Sequence, residues 1–273
     1  MKQDKLTMSR REFLRTSAFA ISGICLAACA PASSRASTPV AQASTNYYLA
    51  NKARILKDMD PLVKQIHKFT AQAHGEALAA VIVAETEQGL EHLLPQLSYI
   101  GGDKNSLTDT LCQSAGALAF YQAMKAHGKS VDETGKIVYR TVEAIAFHAD
   151  VFSGVGSRMA QGKSAQNDFK RMAAESQKRV YAGDWVLTFV EGDGESFDFG
   201  VDYTECGIVK FYRAQGADEF APYLCLGDFP ISKALNTGLV RTTTLARGGP
   251  RCDFRYRSGR PIQMEWTPDF MKE

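Results

Sequence analysis

The chain has almost no net charge: its basic and acidic residues nearly cancel, leaving a formal +2 over 273 residues. A nucleic-acid partner calls for a basic stripe with interleaved aromatics to meet phosphates and bases, and no such stripe is present, so nucleic acid is excluded. Long apolar runs are also lacking. The stretch from Ala18 to Ala28 is too brief for a membrane-spanning helix. Histidines are few and scattered: His67, His74, His92, His127 and His148 form no His-x-x-x-His or Glu-x-x-His pair. The usual helical zinc and di-iron patterns are therefore missing, and each histidine reads as a satisfied or exposed side chain. No repeat of solenoid type is visible, and the length suits one domain with a substantial core.

What is present begins with an address. Ser9-Arg10-Arg11-Glu12-Phe13-Leu14 reads as a twin-arginine signal, and Leu26-Ala27-Ala28-Cys29 reads as a lipobox, so residues 1–28 are expected to be removed and Cys29 to carry lipid. The expected location is outside the cytoplasm, periplasmic or at the cell surface, with the membrane as a partner through the anchor. Residues 29–46, rich in Ala, Ser, Pro and Thr, have too few large apolar side chains to offset the entropy of ordering and read as a tether. Without residues 1–28 the formal charge becomes −1. No cofactor follows from the signal, and no oligomeric state follows from the sequence.

Residues 47–273 are expected to form a single α+β hydrolase-like domain, an N-terminal helical bundle packed on a C-terminal antiparallel sheet of about four strands. Helical periodicity predicts helices over 48–74, with a bend at Asp60-Pro61, and over 76–94, 106–127 and 165–181. Ser130-Val131-Asp132-Glu133 is a capping box opening a further helix to about Phe147. At Asp184 the period changes to alternation. Trp185–Val190 and Phe197–Tyr203 predict one hairpin, and Gly238–Ala246 with Cys252–Arg257 predict a second, joined by Arg247-Gly248-Gly249-Pro250-Arg251. Between the hairpins lie helices over 205–215 and 218–225, then a turn at Gly227-Asp228-Phe229-Pro230. Alternation sets Cys252, Phe254 and Tyr256 on one face of the last strand and Asp253, Arg255 and Arg257 on the other, and the charged face is expected to meet a small polar ligand.

Once the signal is removed and Cys29 lipidated, Cys112, Cys206, Cys225 and Cys252 remain. Cys112 reads as a small buried hydrophobe. The others leave three readings open: one disulfide plus buried thiols, a catalytic thiol, or a metal held by Cys206, Cys225 and Cys252, though their spacing fits no standard zinc ribbon.

Several separated clusters agree in order and spacing: Tyr203-Thr204-Glu205-Cys206, Tyr223-Leu224-Cys225, Asp228-Phe229-Pro230, Gly238-Leu239-Val240-Arg241-Thr242, Thr244-Leu245-Ala246 and Cys252-Asp253-Phe254-Arg255. Together they resemble the L-2-amino-thiazoline-4-carboxylic acid hydrolase family. The likeness is strong from about Trp185 onward and looser upstream, where Tyr99-Ile100-Gly101-Gly102 is the best match. The resemblance implies a hydrolase of a non-peptide C–N bond, adding water to the amidine carbon of a 2-aminothiazoline ring to yield an N-carbamoyl cysteine. Such a substrate asks for an anion at its amidinium, a cation at its carboxylate and a base or nucleophile at the carbon. Asp228 and Asp253 are then candidates to face the amidinium or activate water, and Cys206 and Cys252 are nucleophile candidates. Arg241 and Arg255 are candidates to fork onto the carboxylate, with Glu205 and Thr242 as further binding candidates. No histidine adjoins a cysteine in sequence, which favours carboxylate-activated water over a thiol. The structural alternative makes Asp253 with Arg241, or Glu205 with Arg255, ion pairs bracing the sheet. Two other functions stay open: an exported, lipid-anchored binding or sensory protein that holds a small molecule or metal without turnover, and a structural partner in an envelope complex.

Overall fold

The computed structural model describes residues 47–148 and 162–272. The twin-arginine segment, Cys29 and the tether lie outside the described residues. The first helices are α1 (Lys52–His74), α2 (Glu76–Leu93) and α3 (Thr108–Ala126), followed by α4 (Val131–His148) and α5 (Lys163–Ser176). Then come β1 (Val186–Glu191), β2 (Phe199–Glu205), α6 (Gly207–Ala214), α7 (Ala221–Cys225), α8 (Asp228–Leu235) and β3 (Cys252–Tyr256).

The helical layer is arranged around α3. Its residues are small or apolar on nearly every side, and it buries Leu111, Cys112, Ala115, Leu118, Ala119, Phe120 and Met124, the pattern of a helix enclosed by the core rather than lying on it. Gly116 lets α1 come close: a β-carbon there would stand 2.2 Å from the Met59 methyl carbon. Helix α2 packs on α1 and α3, α4 packs on α1, α7 and α8, and α5 lies against β1. The capping box forms as expected, the Glu133 amide donating to Ser130 Oγ at 3.2 Å and the Ser130 amide to Glu133 Oε2 at 2.9 Å. Helix α1 runs through Pro61 as one element.

The sheet is antiparallel in the order β1-β2-β3, so three strands stand where about four were expected. In the expected fourth, Gly238–Ala246, only Val240 pairs, bridging Arg255 on one side and Gln263 on the other. The reason is a competing acceptor. The Asp253 carboxylate takes the Thr242 and Thr243 amides, each at 2.8 Å, so these do not build a ladder. The chain then turns through a short 3₁₀ segment, Leu245–Arg247, that ends on left-handed Gly248. Asp228-Phe229-Pro230 is likewise not a turn but the first turn of α8, where the amide that Pro230 lacks would have had no helical partner.

Candidate active site

The register of β2 on β3 pairs Tyr203 with Cys252, Val201 with Phe254 and Phe199 with Tyr256, giving the sheet one aromatic face. The other face pairs Asp202 with Asp253 and Gly200 with Arg255. Chemistry-bearing groups gather on the aromatic face. The alternation in the sequence points to the opposite, charged one.

At the centre is Arg241, whose side chain is 1% exposed. Its Nε and Nη2 each donate at 3.0 Å to the two oxygens of Glu265, Nη1 donates to Asp228 Oδ2 at 2.6 Å, and Nη2 also donates to the Cys225 carbonyl at 3.0 Å. The guanidinium carbon lies 4.8 Å from the Phe229 ring centre and 5.1 Å from that of Phe254, so the cation is held between aromatic faces. Four of the five N–H groups of a guanidinium are thereby engaged. Arg241 thus anchors Asp228 and presents no open fork to a substrate carboxylate.

Asp228 is the group this arrangement prepares. Its side chain keeps 19% of its surface accessible, and its second oxygen, Oδ1, makes no hydrogen bond among the described residues. Burial pushes its carboxyl up to about 6; the charge and hydrogen bond of Arg241 pull it down, and Glu265 pushes it up again. Tyr203, Cys206, Cys225 and Tyr256 share its surroundings. Burial is the largest cause of the rise at each, and each still keeps accessible surface. Phenols and thiols thus stand around one carboxylate.

All four described cysteines are free thiols, so the disulfide reading does not hold among them. Cys206 is the N-cap residue of α6 without a side-chain cap bond; the nearby Val209 and Ile208 amides and the Trp185 indole favour its thiolate, but burial outweighs them and raises the thiol. Burial pushes Cys252 up to about 12 against a bond from the Leu245 amide, and lifts Cys225 well above the ordinary thiol range. These sulfurs are protonated at neutral pH, which is the unreactive form. Among the described residues no group of three His, Cys, Asp or Glu side chains is arranged to hold a metal ion, the trio Cys206, Cys225 and Cys252 included.

The remaining predicted site residues stand elsewhere. Asp253 accepts three bonds, from the Thr242 amide, the Thr242 hydroxyl at 2.5 Å and the Thr243 amide, so both Asp253 and Thr242 shape the chain leading away from Arg241. Arg255 donates to Asp202 at 2.7 Å on the charged face. Glu205 pairs with Arg179 and Lys210 at the end of β2. Bracing roles are therefore real for Asp253, Arg255 and Glu205, but with partners other than those the sequence proposed. Sequence reasoning missed Glu265, Tyr203 and Tyr256. For Glu265 a signal existed: an acid set between Met264 and Trp266 in an apolar local context.

Fold and site together define an α+β protein whose reactive groups lie between the aromatic face of a small sheet and the short helices around it. A family model described as L-2-amino-thiazoline-4-carboxylic acid hydrolase matches residues 110–256, more than half of the chain, and the chain belongs to that family. Cys206, Asp228, Arg241 and Cys252 fall inside the matched span, and Glu265 falls outside it. No curated protein and no solved structure matches the chain.

Proposed function

We propose that the protein hydrolyses a 2-aminothiazoline-4-carboxylate-like ring, with Asp228 as the acid–base group. The observation that carries this is the Asp228 carboxylate itself, fixed through Oδ2 by Arg241, left open at Oδ1 and pushed up to about 6 by burial. An amidinium suits these surroundings, because the rings of Tyr203, Phe254 and Tyr256 offer π-faces and Oδ1 offers an acceptor. Ionised Asp228 takes a proton from water as its oxygen adds to the amidine carbon. An N-carbamoyl product keeps both nitrogens on that carbon, so the bond that parts is carbon–sulfur rather than the carbon–nitrogen bond of the class expected from sequence. The water oxygen becomes the urea carbonyl, and its two hydrogens end on the ring nitrogen and on sulfur, the proton held by Asp228 being placed to reach one of them. We further propose that the enzyme works outside the cytoplasm, tethered through Cys29, on the strength of the Arg10-Arg11 and Leu26–Cys29 motifs.

The test is turnover of 2-aminothiazoline-4-carboxylate by the wild type and by Asp228→Asn. The variant should lose at least about a hundredfold in kcat, the range for an acid–base group. In the wild type, kcat/KM should rise with pH through about 6 and then level, since the carboxylate is the active form. Full activity in Asp228→Asn would remove Asp228 from the chemistry. Binding without turnover by the wild type would leave a binding lipoprotein instead.

A further inference from the structure

The chain beyond the family-matched span folds back over the site. Val240 bridges Gln263, with the Arg241 amide donating to the Gln263 carbonyl at 3.1 Å and the Gln263 amide to the Leu239 carbonyl at 2.9 Å. Ile262, Met264, Trp266 and Phe270 pack on Leu226, Phe229 and Leu239. Between Met264 and Trp266 this register delivers Glu265, whose side chain is 3% exposed and whose two oxygens both lie on Arg241. A carboxylate so buried is rare without a strong reason, and its full pairing with one guanidinium edge leaves Nη1 directed at Asp228.

We propose that Glu265 is a positioning residue of the site: its fork on Arg241 fixes the plane of the guanidinium and takes up part of its charge, and so sets how readily Asp228 gives and takes a proton. Two carboxylates share one cation, so the cluster carries one surplus negative charge when both are ionised. Without Glu265 the whole charge of Arg241 would act on Asp228, favouring the carboxylate and making it a weaker base. The other groups facing Asp228 are neutral in the working range. They are the phenols of Tyr203 and Tyr256 and the thiols of Cys206, Cys225 and Cys252, all raised chiefly by burial. Among the described residues, Glu265 is thus the one group besides Arg241 whose charge bears on Asp228 there.

The inference rests on the reading of Asp228 as the acid–base group only for its effect on rate; the titration is followed without substrate, so the two can fail separately. The carboxyl carbon resonance of Asp228, assigned by its loss in Asp228→Asn, is followed against pH in the wild type and in Glu265→Gln. The midpoint should fall by about one unit in Glu265→Gln, the lower end of what an unshared opposite charge produces. Where the protein also turns over substrate, the rising limb of kcat/KM should move down with it. Should Glu265→Gln not fold, Glu265→Asp keeps the charge but draws it back by one methylene, and a smaller fall is expected. A midpoint unchanged from wild type in whichever variant folds overturns the proposal. A moved midpoint in a protein that hydrolyses nothing leaves Glu265 in its role and removes only the proposed function.

Discussion

At the residue scale, Asp228 and Asp253 look alike in sequence, each an acid beside an aromatic, and the structure separates them by what their oxygens meet. Asp253 accepts three bonds from the chain next to Arg241, so Asp253→Asn should lower stability by about 1–3 kcal/mol, the range for disrupting charge-assisted bonds at a buried acceptor, while specific activity below the melting point is kept. Chemical denaturation beside an assay at low temperature checks this, and a hundredfold rate loss with unchanged stability would reverse the assignment. Asp228 should behave in the opposite sense. Its folded carboxyl, about 6, lies above the ordinary value of about 3.9, so its contribution to stability is full below the unfolded value and is lost as pH rises through about 6. A fall in stability between pH of about 4 and 7 should therefore be smaller in Asp228→Asn than in the wild type, read from melting curves across that window. Equal falls in both proteins would show that Asp228 is not held in its protonated form by burial.

At the scale of elements, the site depends on how closely α4 meets α7. Gly135 in α4 lies against the Tyr223 ring: a β-carbon there would stand 2.1 Å from Cδ1 and 2.7 Å from Cγ. That ring packs edge-on against Trp266 at 5.2 Å, next to Glu265, and its hydroxyl donates to Asp132 at 3.3 Å. A stiff ring cannot swing aside as a methionine end can, so Gly135→Ala should cost about 1–3 kcal/mol through overpacking. Equilibrium unfolding in urea measures it, and a change within about ±0.5 kcal/mol would mean that α4 and α7 yield freely, as ordinary surface positions do. The element boundaries themselves follow local chemistry. The Ser130–Glu133 box starts α4, and the alternation of Phe197 to Tyr203 marks β2, and both are legible in the order of the residues alone. The strand expected from Gly238 to Ala246 was lost because a side chain eleven residues downstream of Thr242 captured its amides, which local periodicity cannot show.

At the scale of the whole molecule, no helix among the described residues is long and apolar enough to cross a membrane. The proposed attachment is through the Cys29 lipid, by a tether whose composition contributes no core. Cys29→Ser should shift the protein from the membrane to the soluble fraction with an unchanged melting temperature, and intact mass should show the loss of acyl chains. Wild-type protein already soluble and without lipid mass would refute the anchor.

The sequence alone determined the near-neutral charge, the helical half followed by a strand half, and the clusters around Cys206, Asp228, Arg241 and Cys252, because these are properties of composition, period and local order. Only the tertiary structure decided which face of the sheet bears the site. A period of two declares that a strand has two faces, but not which one the helices will cover. It also chose the partners of Arg241. A buried guanidinium must be paired, and the acids available to it, Asp228 and Glu265, stand 13 residues before it and 24 after it, so the choice depended on the path of the intervening chain. That path, returning Glu265 between Met264 and Trp266 against the core, is what turned a charged side chain expected at a ligand into the anchor of a carboxylate.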